Sequence, residues 1–198
     1  MKQSSQISQA LAWAGLENCE LTGTGAGLYN DSYYVDCSQG RYLIRIAPSD
    51  DFPKLFYEIE MMRSEPEIHR LVREHTDIPV PKIIHYDFSR NIIDRDYLIM
   101  EFLPGRPGRF EQSRLGEYVR QLHSIKSQTY GYPDRKAPTG ENWPDIFRTY
   151  VELIFRDSLA CGAIDQGEYD DFLSIYERNF DAVEQTDACL LHLDLWSQ

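Results

Sequence analysis

Residues 190–198 read Leu-Leu-His-Leu-Asp-Leu-Trp-Ser-Gln, so that His192 and Asp194 stand two positions apart directly after an apolar run. This spacing can fix both side chains on one tight loop. The carboxylate can then accept the proton of an attacking hydroxyl, while the imidazole holds the loop backbone through hydrogen bonds. Taken alone, a His-x-Asp triplet is more often a chance feature of a surface turn. Its interpretation therefore depends on the segments that precede it.

The segments before position 104 combine helical spacing with strand-like runs. Residues 5–14 and 54–75 carry apolar residues at helical spacing, and Pro66 predicts a kink or two helices in the second stretch. The glycines of residues 23–27 predict a flexible stretch. Four runs rich in Tyr, Val, Ile and Leu predict strands, the first two joined into a hairpin by Ser-Gln-Gly: 31–37, 41–47, 82–87 and 96–102.

Pro104-Gly105-Arg106-Pro107-Gly108 is the clearest linker of the chain, and everything after it has a helical pattern. Three apolar stripes at helical spacing follow, at 115–125, 147–159 and 169–183. Strands with helices, then a hinge and a helical body, predict an α+β fold with two lobes, residues 1–103 and 104–198. Small ligands usually bind in the cleft between such lobes.

Composition excludes several classes of function. A net charge of −12 argues against nucleic-acid binding, which requires a basic surface. No segment approaches the roughly 18 apolar residues of a membrane span, and the N-terminus lacks the features of a secretory signal. We therefore expect a cytoplasmic protein without membrane contact. The four scattered cysteines form no CxxC pair, which argues against a zinc site and predicts buried free thiols.

Arg45 is the single cation of the apolar run from Tyr42 to Ala47. A cation in such a run is costly unless it meets a carboxylate or a phosphate, although an exposed strand edge would accommodate it as well. The following helical segment carries carboxylates that either face this cation or line the solvent side: Glu58, Glu60 and Glu65. The glycines could bring backbone N–H groups close to phosphates, a weak signal by itself.

In this order, the segments resemble the aminoglycoside phosphotransferase and choline kinase-like superfamily. YLIRIAP resembles the strand with the nucleotide-binding lysine, and IPVPKIIHYD and YLIMEFLPG resemble two signature strands. LGEYVRQLHSI, followed by Tyr130-Gly131-Tyr132 and Trp143, resembles the segment after the hinge. LLHLDLWSQ resembles the catalytic loop, usually written HGDxxxxN. The resemblance covers nearly the whole chain.

The resemblance implies a protein-kinase-like fold whose first lobe, residues 1–103, binds the nucleotide. It implies transfer of the γ-phosphate of ATP (or GTP), with Mg2+, to a hydroxyl of a small molecule. Acceptors of this kind are an aminoglycoside or related antibiotic, choline, a sugar or a homoserine-like metabolite. The sequence does not distinguish between these acceptors.

The resemblance also implies roles for individual residues. Asp194 would orient and deprotonate the acceptor hydroxyl, with His192 in the same loop. Arg45 would contact the phosphates, with Glu65 as its partner. The remaining implied nucleotide-binding residues are Gly25 and Gly27, in a loop over the phosphates, and Met100, Glu101, Phe102 and Leu103, at the adenine.

Three features depart from the family pattern. Leu193 replaces the usual glycine of the catalytic loop, so it needs a permissive backbone angle. Pro66 directly follows Glu65 and biases it away from helical geometry, which makes Glu58 the alternative partner of Arg45. The metal-binding asparagine of the family would fall immediately after Gln198, and the later metal ligands would follow it.

We therefore expect the 198-residue chain to lack appreciable kinase activity and to expose apolar helical faces that favour self-association. The alternative function is a non-catalytic nucleotide-binding pseudo-enzyme or a truncated gene product. A purely structural helical module is disfavoured, because it would not need the glycine loop and the order of strands, hinge and helices.

Overall fold

The computed structural model describes residues 2–25, 29–105, 111–133 and 136–195. The chain divides into two compact units. The first consists of Met1–Phe52, Met62–Glu74 and Ile78–Arg109, and the second of Pro53–Met61, His75–Asp77 and Phe110–Gln198. The boundary between residues 103 and 104 stays a prediction.

The first unit is built on a five-stranded sheet in which every neighbouring pair is antiparallel. The strand order is β1-β2-β3-β5-β4, and the strands are β1 Glu20–Thr24, β2 Asp31–Cys37, β3 Gly40–Ile46, β4 Ile83–Asp87 and β5 Tyr97–Glu101. The predicted hairpin and the two later strands are confirmed. Together with the helices, the sheet confirms the predicted α+β class.

Strand β1 is the main error in the predicted sheet, because its glycines had indicated a flexible stretch. All five of its residues are exposed, so no alternation of buried and exposed side chains marks it in the sequence. It forms instead through backbone pairing with β2, with an irregular register between Leu21 and Gly23. Strand pairing, not side-chain burial, therefore defines this element.

Both faces of the sheet carry apolar clusters. Helix α1, Lys2–Trp13, contributes Ile7, Ala10 and Leu11 to one cluster, as its spacing predicts. The sheet contributes central residues such as Ile44 and Ile99, which are fully buried. A separate cluster forms around Met62, Leu98 and Met100.

The predicted interruption at Pro66 is confirmed, since regular α-helix begins only at its neighbour. Residues 56–58 and 61–64 form short 3-10 helices, and helix α2 spans Glu65–His75. Proline is well tolerated in a first helical turn, where its missing N–H has no partner to lose. Ile59, in the stretch predicted to be helical, lies between the two 3-10 helices and is 41% exposed.

The second unit contains helices α3 Gln112–Ser124, α4 Trp143–Ala160 and α5 Gln166–Asn179, followed by a short 3-10 helix. Asn142 caps α4, and a capping box of Asp165 and Glu168 begins α5. The core of this unit is aromatic, with Phe56 packed against Tyr150. The expectation that everything after the linker is helical is wrong for residues 125–133, 136–142 and 183–195.

The cysteines also depart from expectation. Cys19 and Cys37 form a disulfide, whereas Cys161 is free and exposed and Cys189 is free and half-buried. The prediction of buried free thiols is therefore wrong. In the part of the chain that the structure describes, no helix is long and apolar enough to cross a membrane.

Candidate functional site

The predicted cation of the sheet, Arg45, forms an ion pair with Glu65. Arg45 lies on β3 between β2 and β5, where Ser32 and Leu98 are its register partners. Its Nη1 donates to Oε2 of Glu65 over 2.5 Å, and the two side chains are only 24% and 17% exposed. A guanidinium carries five N–H donors, so this arrangement leaves donors for a second anion.

The alternative partners of Arg45 are engaged elsewhere. The carboxylate of Glu58 accepts a hydrogen bond from the amide of Leu55 over 2.7 Å and so closes its own 3-10 helix. Glu60 forms an ion pair with Lys136 over 2.8 Å. Glu65 instead begins α2, directly ahead of Pro66, and this position brings it to Arg45. The structure thus brings together the first-named pair of the sequence analysis.

A buried carboxylate, which sequence reasoning missed, anchors the segment just before Glu65. Asp96 is 2% exposed and accepts hydrogen bonds from Nε and Nη2 of Arg63 over 2.7 and 3.2 Å and from Nε of Arg90 over 3.0 Å. Burial alone would raise the pKa of Asp96, but the two arginines outweigh it and hold the pKa below its usual value. Because Arg63 is two residues from Glu65, this network holds the segment that leads into the Arg45–Glu65 ion pair.

The four residues implied to contact adenine, Met100 to Leu103, lie at the end of β5 and directly after it. Met100 is buried in the cluster with Leu98, and Leu103 is 43% exposed. The amides of Glu101 and Phe102 donate to the carbonyls of Lys82 and Arg41, respectively. The Leu103 amide has no hydrogen-bond acceptor among the described residues.

The ring of Phe102 is held by two neighbours that the sequence did not reveal. Tyr34 contacts it edge-on, with ring centroids 5.7 Å apart. The guanidinium of Arg41 lies 4.7 Å from the Phe102 ring and 5.4 Å from the Tyr34 ring. Such cation–π contacts stabilise the side chains involved by about 0.5–1 kcal/mol at exposed sites. They restrict the Phe102 side chain beside the hinge backbone.

The glycine segment is described up to Gly25, and Gly27 lies outside the described residues. The amide of Gly25 donates to the carbonyl of Ser32 over 2.8 Å. A Cβ atom at Gly25 would lie 2.8 Å from Cβ of Ser32, so glycine is required for this approach. Ser32 is in turn the β2 register partner of Arg45. Gly25 and Arg45 are therefore both next to Ser32.

In the second unit, the His-x-Asp triplet forms a tight exposed turn. The amide of Asp194 donates to Nδ1 of His192 over 3.2 Å, so the imidazole holds the loop backbone. Leu193 has a φ of +63°, the left-handed region that favours glycine. This is the permissive angle that a leucine needs at the family's glycine position. The amide of Leu190 donates to the carbonyl of Ile125 over 2.9 Å and holds the base of this segment.

An open cavity of about 300 Å³ adjoins this turn. It is lined by Val119, Leu122, His123, Leu191, His192, Leu193 and Leu195. The lining is mostly apolar, and Asp194 is not part of it. The structure describes no group of three or more His, Cys, Asp or Glu side chains that could hold a metal ion among its placed residues.

Residues 20–198 match the model of a family described as the phosphotransferase enzyme family, APH. The chain belongs to the phosphotransferase enzyme family. This membership confirms the resemblance inferred from the sequence segments. The match extends from the start of β1 to the end of the chain and so includes all the candidate residues above. A comparison with curated proteins finds none that matches this phosphotransferase-family chain.

Two solved structures are similar to this family member. One is a Ralstonia eutropha protein assigned as an aminoglycoside phosphotransferase, with 16% identity and a TM-score of 0.45. The other is APH(2")-IIIa in complex with GDP and kanamycin, with 9% identity and a TM-score of 0.47. The similarities cover 62% and 91% of this chain, which spans 38% and 58% of the lengths of those two proteins.

Proposed function

We propose that the protein is a phosphotransferase that uses ATP (or GTP) and moves the γ-phosphate to a hydroxyl of a small molecule. The observation that carries the proposal is the Arg45–Glu65 ion pair, 2.5 Å long and largely buried, in a chain of the phosphotransferase family. An isolated structural ion pair does not require a glycine beside it. Gly25 packs on Ser32, the register partner of the cation.

In the proposed reaction, each group of the chain has one task. The N–H donors of Arg45 that Glu65 does not use bind phosphate oxygens, and the Leu103 amide binds the nucleobase. The acceptor hydroxyl attacks the γ-phosphorus, its proton passes to the carboxylate of Asp194, and the nucleoside diphosphate leaves. His192 keeps Asp194 in position through its contact with the Asp194 amide.

Magnesium would neutralise charge on the β- and γ-phosphates in such a reaction. The described residues contain no cluster of three or more His, Cys, Asp or Glu side chains that could hold magnesium by themselves, and magnesium at nucleotide sites is usually held by one or two carboxylates together with phosphate oxygens. No step is therefore assigned to the metal. For the polypeptide of residues 1–198, we expect nucleotide binding without turnover.

Acceptors consistent with the proposal are aminoglycosides, choline, sugars and homoserine-like metabolites. A second candidate function is nucleotide binding without catalysis. It is favoured by Leu193, whose left-handed conformation places a 71% exposed apolar side chain between the two catalytic candidates.

The leucines at 191, 193 and 195 are each about half exposed or more, so we also expect self-association, which sedimentation velocity would measure.

Calorimetric titration with a non-hydrolysable ATP analogue tests nucleotide binding. We expect saturable binding that Arg45→Met weakens at least ten-fold, because a charge-assisted contact to phosphate is lost. Arg70→Met, on the exposed face of α2, is the matched control and should bind as the wild type does. A folded protein that binds no nucleotide contradicts the proposal.

Release of ADP or GDP in the presence of an acceptor panel tests whether the chain turns over. Binding with no release by the 198-residue polypeptide is the expected result. Repeated turnovers by that polypeptide would refute this expectation, would exclude the non-catalytic alternative and would identify the acceptor directly.

A further inference from the structure

A disulfide closes one end of the β1–β2 pair. Glu20 and Asp36 are register partners in this ladder, so the adjoining Cys19 and Cys37 continue the register, with Cα atoms 4.1 Å apart. Both cysteine residues are half-buried and pack against the apolar cluster of this unit, and their flanking residues Asn18 and Ser38 are exposed. The disulfide therefore joins two strands at a place flanked by exposed residues.

Strand β1 has few other restraints. It is an edge strand with β2 as its only neighbour in the sheet, and all five of its side chains are exposed. Its register is irregular between Leu21 and Gly23. A strand without buried side chains is held by its backbone ladder alone and belongs to the least stable parts of a fold. The disulfide is thus a covalent restraint on β1 in addition to its ladder with β2.

The position of β1 is coupled to the candidate phosphate site. Gly25 directly follows β1, and its amide bonds to Ser32, which lies beside Arg45 in the sheet. Displacement of β1 would move Gly25 away from Ser32. The close approach of the Gly25 backbone to Ser32 therefore depends on the position of β1.

The two cysteines would remain near each other without the bond. The amide of Ser38 donates to the carbonyl of Glu17 over 2.9 Å, and Nδ2 of Asn18 donates to Oγ of Ser38 over 2.9 Å. Nε2 of Gln39 donates to the carbonyl of Gly15 over 3.0 Å. These hydrogen bonds hold residues 15–18 against residues 38–39, next to the disulfide. The two thiols therefore stay close after reduction and can be oxidised again.

We propose that Cys19 and Cys37 form a reversible redox clamp on β1 that controls nucleotide affinity. The inference rests on the proposed nucleotide-binding function. A dithiol reductant, of the thioredoxin class in a cell, supplies two electrons and two protons. Its thiolate attacks one sulfur, its second thiol resolves the mixed disulfide, and it leaves oxidised while Cys19 and Cys37 become thiols. Glutathione disulfide reverses the reaction.

Reduction should lower the fraction of molecules in which β1 is correctly paired. The apparent dissociation constant rises in inverse proportion to that fraction. With about one molecule in five remaining competent, nucleotide binding weakens about five-fold.

The test uses the full chain with Cys161→Ser and Cys189→Ser, which removes the two free thiols. Protein oxidised with glutathione disulfide should show no reactive thiol, and protein reduced with dithiothreitol should show two. The reduced form should bind the ATP analogue about five-fold more weakly. Amide hydrogen exchange of residues 20–24 should be faster in the reduced form, with exchange in β3 unchanged.

The Cys19→Ser/Cys37→Ser double variant is the matched control and should behave as reduced protein in both buffers. Equal nucleotide affinity in the oxidised and reduced forms overturns the clamp and leaves the proposed function intact. Two reactive thiols after oxidation also overturn it, because no bond has then formed. Absence of nucleotide binding in both forms refutes the proposed function, and unchanged β1 exchange separately refutes the release of the strand.

Discussion

The Arg45–Glu65 pair gives the sharpest test of the first unit. Glu65→Gln keeps the shape of the side chain but leaves the guanidinium of Arg45, 24% exposed, opposite a neutral amide. Breaking a fully buried pair by removing one partner costs about 3–5 kcal/mol. Exposed pairs contribute at most about 1 kcal/mol. With Glu65 only 17% exposed, we expect a loss of about 2 kcal/mol, between these limits.

Thermal unfolding followed by circular dichroism measures this loss. For a chain of this size, 1 kcal/mol corresponds to roughly 2–4 °C, so Glu65→Gln should lower Tm by about 4–8 °C. Glu67→Gln is the matched control on the same helix, because its carboxylate pairs with Arg70 on the exposed surface. We expect no measurable change in Tm for that variant.

A third variant checks the reasoning by a different route. Arg45→Met combined with Glu65→Leu removes both charges and leaves apolar groups of similar size. Such replacements are often neutral, so the double variant should be more stable than Glu65→Gln alone. If Glu65→Gln lowers Tm no more than Glu67→Gln does, the partly buried pair behaves as a surface pair. The predicted loss in the free energy of unfolding for Glu65→Gln would then be wrong.

Three further predictions concern other parts of the chain. Gly25→Ala should weaken nucleotide binding through its clash with Ser32, whereas Gly116→Ala, in open space on α3, should raise the unfolding free energy by about 0.5–1 kcal/mol in urea titrations. Leu193→Gly should be about 1 kcal/mol more stable than Leu193→Ala because φ is +63°; equal stabilities would contradict the left-handed turn. Because the fold holds the pKa of Asp96 below its usual value, ionised Asp96 stabilises the fold at pH values above that usual pKa. This stability is lost as pH falls through the lower folded-state pKa. Asp96→Asn should therefore be less stable at neutral pH and less sensitive to acid, as unfolding across a pH series would show.

Much of the fold was predictable because its elements carry local signals. The hairpin has strand-forming residues on both sides of Gly40, whose φ of +135° suits a glycine. Helix α1 repeats its apolar residues at helical spacing and buries them. Strand β1 lacks both signals, and pairing with β2 creates it. Local pattern thus found α1 and the hairpin, which bury side chains, and missed β1, which does not.

The candidate site was only partly predictable for a related reason. The sequence predicted a carboxylate partner for Arg45, but Pro66 disfavoured Glu65 in that role. In space, that proline lies in the first turn of α2 and leaves Glu65 free to reach the cation. The disulfide had no signal at all, because Cys19 and Cys37 are 18 residues apart and become adjacent only through strand register. The functional roles of Arg45, Glu65 and the disulfide stay predictions.

The interleaved composition of the two units has a consequence for synthesis on the ribosome. The segments of the first unit extend to Arg109, so its sheet can form early, before the second unit has been translated. Phe56 belongs to the second unit, and its buried neighbours Ala137, Ile146 and Tyr150 emerge more than 80 residues later. Until then its ring has no core to enter. We expect this segment to be where a chaperone binds the nascent chain.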